Sequence, residues 1–164
     1  MNCNTFYRGF RAVSESSLPP RGMLLHDRKE AIIMNEHDKS LWLQLLNEAK
    51  KVVNPREISE FIEAGGVGAA ILTDQGHIYT GVCIDTACSL GMCAERNAIA
   101  HMITKGESVI TRLVCIGSDH QLMFPCGSCR EMMMQLGNEN LRILTDPDTF
   151  ESVTLKELIP NWWG

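Results

Sequence analysis

Val67-Gly68-Ala69-Ala70-Ile71-Leu72-Thr73, then Asp74-Gln75-Gly76, then His77-Ile78-Tyr79-Thr80-Gly81-Val82-Cys83-Ile84 is the stretch on which the fold turns. The first run is apolar and short, as a strand buried on both faces should be. Asp74-Gln75-Gly76 has turn chemistry, and the chain then returns as a second strand, so a hairpin is expected.

Before the hairpin, Asp38 can cap a helix running through about Val53. Leu41, Leu45, Ala49 and Val52 share one face, widened by Trp42 and Leu46, and Pro55 stops it. A short helix over Glu57–Ala64, ended by Gly65-Gly66, is a further expectation. After the hairpin the pattern predicts a helix from Cys93 to Lys105, closed by Gly106, and a strand over Val109–Gly117. A helix over Cys126–Leu136 follows, closed by Gly137, then a strand over Leu141–Thr145. A short strand near Phe150–Val153 and a helix over Leu155–Leu158 complete the chain. Strands alternating with helices point to an α/β protein, a three-layer αβα sandwich around a mixed sheet of roughly five strands.

Residues 1–33 read differently. Ser14-Glu15-Ser16-Ser17-Leu18-Pro19-Pro20-Arg21-Gly22 breaks any helix, so this stretch reads as an extension with little core of its own. Met34 would begin a complete compact domain, and residues 34–164 are expected to be that domain. Glu15, Asp27 and Glu30 argue against a targeting peptide, and residues 1–30 hold no apolar signal core.

The chain has 164 residues, 45% hydrophobic, with a formal net charge of −5 and no Lys/Arg block. That balance disfavours nucleic acid as a partner and suits a small neutral or cationic substrate. No apolar run is long enough for a bilayer, so no membrane partner is expected. Seven cysteines without a secretory signal suit a reducing, cytoplasmic setting in which clustered thiols bind metal. Cys115, inside Leu113-Val114-Cys115-Ile116, reads as a small buried core residue. Met132-Met133-Met134 reads as core packing, and His101 and His120 as ordinary polar or packed residues.

Cys93-Ala94-Glu95 and Pro125-Cys126-Gly127-Ser128-Cys129 carry the chemistry. A Cys-x-Glu followed by Pro-Cys-x-x-Cys is a known zinc-deaminase signature. Cys126 and Cys129, at i and i+3, share a helix face, and Cys93 also opens a helix. Helix starts favour thiolates, the form that binds zinc. Three sulfur ligands leave a fourth tetrahedral position open, as a catalytic zinc requires. Glu95, two residues past Cys93, is the candidate proton shuttle. Three thiolates exceed the zinc charge by one, and Arg96 is the candidate to offset that excess. In the competing structural-zinc reading, Cys88 or Cys83 would supply a fourth ligand.

With these motifs in place the chain resembles the cytidine deaminase family, in its small three-cysteine branch, over roughly Met34 to Gly164. Val67-Gly68-Ala69-Ala70, Ile78-Tyr79-Thr80-Gly81-Val82, Cys93-Ala94-Glu95-Arg96-Asn97-Ala98-Ile99, Pro125-Cys126-Gly127-Ser128-Cys129-Arg130 and Glu157-Leu158-Ile159-Pro160 match in order. The resemblance implies an αβα sandwich and one zinc per subunit on Cys93, Cys126 and Cys129, with Glu95 as acid/base. It also implies a homotetramer, a dimer being the lesser alternative, in pyrimidine salvage. It implies a main-chain acceptor at Phe124 and substrate contacts at Cys83, Asp85 and Ala94.

The substrate side departs from the family pattern. Cys83-Ile84-Asp85 stands where Asn-x-Glu usually grips the ribose, and a thiol cannot replace a carboxamide's two-sided hydrogen bonding. Gly65 stands where the family often has a Phe lining the pocket, with Phe61 nearby. Trp162 and Trp163 lie where an aromatic often reaches an active site, and read equally as a subunit contact. The implied activity is hydrolytic deamination of cytidine, deoxycytidine or a close analogue. The alternatives are a modified aminopyrimidine nucleoside such as blasticidin S, and a non-enzymatic zinc-stabilised module.

Overall fold

A computed structural model describes residues 35–164. The expected extension over residues 1–33, Cys3 and the start at Met34 lie outside the described residues. The described elements are α1 (Glu36–Val52), β1 (Arg56–Ser59), β2 (Ile62–Thr73), β3 (Ile78–Thr86), α2 (Ala94–Thr104), β4 (Ile110–Gly117), α3 (Gly127–Gln135), β5 (Arg142–Leu144), β6 (Ser152–Thr154) and α4 (Leu155–Leu158).

The long β2 organises the sheet. β3 pairs antiparallel along one edge from Ile62 to Leu72. On the other edge β1 takes the first residues of β2 and β4 takes Val67 onward, both antiparallel. β5 continues parallel to β4, and β6 closes antiparallel on β5. The sheet is mixed and has six strands, one more than expected.

Alternation along the central strands divides two cores. Ala70 and Leu72 of β2, with Val114 and Ile116 of β4, meet Trp42, Leu45, Leu46 and Ala49 of α1. Ala69, Ile71, Leu113 and Cys115 face the other way, onto Ala94, Ala98, Ile99 and Met102 of α2 and Cys129, Met133 and Met134 of α3. Three layers result, with α1 alone on one face. Met133 and Met134 are core residues as expected.

Three expectations need correcting. Residues 57–64 form no helix: Arg56–Ser59 is a strand, and Ile62–Ala64 already belongs to β2. All four β1 side chains are exposed. Backbone pairing with the edge of β2 holds this strand, so no hydrophobic alternation announced it. Second, α1 is capped by Asn35, whose Oδ1 accepts from the Asp38 N–H at 2.7 Å. Asp38 instead pairs with Arg112 and Arg142 across the sheet, and both guanidiniums lie near the Trp42 ring, 5.5 and 5.9 Å from its centroid. Third, Gly65 ends no helix. It sits at φ +84° where the β2–β3 register shifts, and its carbonyl accepts from the Asn54 N–H.

Candidate metal centre and substrate cleft

Two helices begin at one end of the sheet. Cys93 is the N-cap of α2 and Cys126 the N-cap of α3, both with extended backbone. α2 lies close on β3 because Gly81 has no side chain. A Cβ there would stand 2.4 Å from the Ala98 nitrogen and 2.5 Å from the Ala94 carbonyl oxygen. Asn97 fastens the contact by donating to the Val82 carbonyl at 3.1 Å.

Two loops finish the end wall. Ile84 and Met92 exchange backbone hydrogen bonds at 2.9 Å, which folds the segment before Cys93 back onto β3. Leu122 bridges Ile116, and the Met123 N–H donates to the Cys115 carbonyl at 2.9 Å, which delivers Phe124-Pro125-Cys126 to the same place. His120 makes the turn with φ +61°.

The three sulfurs converge. Cys93 Sγ lies 3.6 Å from Cys126 Sγ, Cys126 Sγ lies 3.5 Å from Cys129 Sγ, and all three fall within 4.8 Å of one another. Zinc–sulfur bonds near 2.3 Å in a tetrahedron set sulfurs about 3.8 Å apart, so this donor set fits zinc. Among the described residues no fourth side chain joins the group. Cys83 and Cys88, the fourth ligands of the structural-zinc reading, are engaged elsewhere. Cys83 Sγ accepts from the Val67 N–H at 3.2 Å, and its thiol donates to Asp85 at 3.4 Å. Cys88 is exposed beside Thr86.

The thiols are unequal. Burial raises the Cys93 pKa, helped by the neighbouring Cys126 thiol. Burial also raises Cys129, with Glu95 adding to it. Cys126 is lowered: burial opposes its charge, but the Cys129 and Ser128 N–H groups and the flanking thiols outweigh that. Burial likewise disfavours the charge on Arg96, yet the neighbouring Cys93 thiol and attraction to all three sulfurs raise its pKa. Its Nη2 donates to the Gly91 carbonyl at 3.4 Å. The guanidinium therefore lies close to the sulfur group.

A cleft of about 390 Å³ opens beside the sulfurs. Cys93, Ala94, Glu95 and Cys126 line it together with Cys83, Asp85 and the exposed Phe124. Cys129 is fully buried behind them and Glu95 is 4% exposed. Sequence reasoning missed Met92, Met123, Gly66, Val67 and Cys115 as lining groups. Cys115 is buried as expected, but it faces the cleft as well, and burial and nearby Glu95 push its thiol up. Strand alternation from Val67-Gly68-Ala69 was the available signal for the β2 wall.

Gly65, Phe61 and the tryptophans do not line the cleft. A Cβ at Gly65 would strike the Asn54 carbonyl oxygen at 2.1 Å, so that position faces away, and Gly66 is the cleft residue. Phe61 is exposed on a neighbouring recess. Trp162 and Trp163 both donate to Glu131, at 3.0 and 3.1 Å.

Residues 36–145 match the family described as cytidine and deoxycytidylate deaminase zinc-binding region. The chain belongs to that family, whose zinc-binding character agrees with the sulfur cluster. It is 36% identical over 99 residues to a probable cytidine deaminase of Dictyostelium discoideum, covering 58% of this chain and 66% of that protein. It is 27% identical over 103 residues to a blasticidin-S deaminase of Bacillus cereus, covering 57% of this chain and 74% of that one. The crystal structure of cytidine deaminase from Mycobacterium tuberculosis superposes with a TM-score of 0.63 at 27% identity, covering 75% of this chain and 97% of that chain. The αβα architecture is therefore the family's.

Proposed function

We propose that residues 34–164 form a zinc-dependent hydrolase that deaminates cytidine or deoxycytidine to the uracil nucleoside and ammonia. One observation carries the reading: three clustered thiols, with no fourth ligand among the described residues, stand at a cleft that two of them, Cys93 and Cys126, line together with buried Glu95.

Cys93, Cys126 and Cys129 would hold zinc, which when bound polarises water and lowers its pKa towards about 7. Glu95 accepts a proton from the attacking water, which adds to the amine-bearing ring carbon. The same carboxyl gives that proton to the ring nitrogen, then takes the second proton from the new hydroxyl and gives it to the amine, so that the C=O bond forms as the C–N bond breaks and ammonia leaves. The Phe124 carbonyl accepts from the substrate amine. Ala94 lines the ring site, and Asp85 with Cys83 meets the sugar. Arg96 offsets the negative charge of the sulfur set.

We place the protein in the cytoplasm, in pyrimidine salvage, as a homotetramer or less fittingly a dimer. Residues 1–33 are an extension outside the catalytic unit. Among the described residues no helix is long and apolar enough to cross a membrane.

A second reading, a modified aminopyrimidine nucleoside such as blasticidin S, is favoured by the Cys83 thiol. Its hydrogen-bonding capacity is taken up by Val67 and Asp85, which leaves the sugar side with fewer polar groups to offer. The test incubates zinc-loaded protein with cytidine and deoxycytidine and follows absorbance, with Glu95→Gln as the blank. Turnover that vanishes in the blank is expected. No turnover from protein holding one zinc moves the reading to the modified substrate, checked by ammonia release from blasticidin S. If neither substrate turns over and Glu95→Gln changes nothing, the non-enzymatic module stands.

A further inference from the structure

Arg130 breaks a local rule. It lies in the first turns of α3, one residue past Cys129, where a cation opposes the positive end of the helix. Such a departure marks a residue held for another reason. Its Nε donates to the Pro125 carbonyl at 2.7 Å, and Nη1 donates to the Leu158 carbonyl at 3.4 Å.

Pro125 is buried and stands between Phe124, on the cleft rim, and the N-cap Cys126. Its carbonyl precedes the helix, and a buried carbonyl needs a donor. A guanidinium, with a rigid planar fork, can fix two acceptors at once. The other acceptor, Leu158, is the last residue of α4. The next side chain of α3, Glu131, accepts from both indoles of Trp162 and Trp163. Consecutive residues of α3 thus fasten the C-terminal segment, and the first of them also fastens the loop that carries Cys126.

We infer that Arg130 is a positioning residue. It sets the Phe124-Pro125-Cys126 backbone against α3 and couples that setting to the docking of Leu158–Trp163. It touches no reacting atom. The inference rests on the deaminase reading for its catalytic readout alone.

The test uses full-length, zinc-loaded protein with Arg130→Met, Arg130→Lys and Trp162→Ala. Three quantities are read: the rate of zinc transfer to a chromogenic chelator, amide hydrogen exchange over residues 124–130, and kcat against KM for cytidine. Arg130→Met should speed zinc transfer roughly tenfold or more, as loss of a group supporting metal ligands does. It should raise exchange at residues 126–130 and lower kcat more than it changes KM. Arg130→Lys, which keeps one donor for Pro125, should recover most of the loss. Trp162→Ala should give a smaller change of the same sign, and little more on the Arg130→Met background.

Unchanged zinc transfer and exchange in Arg130→Met would overturn the inference. Should that variant not fold, unchanged values in both Arg130→Lys and Trp162→Ala overturn it equally. If the wild-type protein does not deaminate cytidine while zinc transfer and exchange respond as stated, the positioning role is supported and only the substrate reading falls.

Discussion

Glu95 and Glu107 are two buried carboxyls at opposite ends of α2, 4% and 7% exposed. Their surroundings differ in kind. Glu107 lies just past the helix C-terminus, the unfavourable end for an acid. Its Oε1 receives the Tyr79 hydroxyl and lies 2.7 Å from His77 Nδ1. Its Oε2 is buried without a hydrogen bond of good geometry, and the Thr73 hydroxyl is the nearby group that can turn to it. The Thr73 and Tyr79 hydroxyls, with His77, hold this carboxyl below the usual range against its burial. Glu95 lies in the first turn of α2 and lines a cleft among thiols and a methionine-bordered rim. A buried acid supplied with donors from its own chain is structural. One buried in a cleft beside a cluster of thiols awaits something from outside.

The comparison is broken most directly by exchanging the two acids in turn. Glu95→Gln should cut kcat by roughly a hundredfold to ten-thousandfold, the span of general acid–base catalysis, while zinc content by atomic absorption stays at the wild-type value. Glu107→Gln should leave kcat within a few fold and lower the melting temperature. Equal loss of activity in both variants would erase the distinction.

Cys129→Ala and Cys115→Ala sharpen it among the thiols, because both are buried near the cleft but one belongs to the sulfur group. Cys129→Ala should lose zinc in dialysis against a mild chelator and lose the zinc-dependent rise in melting temperature, worth about 4 kcal/mol at a thousandfold excess over Kd. Cys115→Ala should retain both.

A smaller effect is expected at the close contact beneath α2. Gly81→Ala should cost about 1–3 kcal/mol, as overpacking does. Because the Cβ meets backbone at Ala94 and Ala98, the start of α2 must shift and KM should rise with the loss of stability.

The pH response belongs to the structural acid. A carboxyl whose folded pKa is lowered contributes stability above its unfolded value, and that contribution is lost as pH falls through the folded value. Glu107 therefore supports the fold at neutral pH, and its support fades below about pH 4.5. Glu131, Asp146 and Glu157 are lowered too. The denaturant midpoint of wild type should fall more steeply than that of Glu107→Gln between pH 5 and pH 3, and parallel curves would remove Glu107 from this account.

Reading order along the chain explains what could be foreseen. The hairpin, the two cysteine-headed helices and the strands alternating with them are local patterns, and each appears within a few residues of its expected bounds. β1 was missed because backbone pairing with residues 62–64 of β2 holds it, and its one apolar side chain, Ile58, is exposed, so no alternation signals it. Asn35 was missed as the cap because Asp38 is as good a capping residue, and only the long-range pull of Arg112 and Arg142 decides between them. The direction of Gly65 was unreadable because the register shift in β2 turns it towards Asn54.

The sequence by itself determined which sulfur atoms could hold a metal and which carboxyl stands two residues from the first of them. Spacing within the start of α3 brings Cys126 and Cys129 together through bonds and turns alone. Only the tertiary structure decided that two helix starts thirty-three residues apart meet at one end of the sheet, and that the Cys83 thiol turns to Val67 and Asp85. It also decided that Arg130 reaches both Pro125 and Leu158. The contacts of Cys93 with Cys126, Cys83 with Val67 and Arg130 with Leu158 join residues far apart in the chain, and their existence depends on how the layers close over one another.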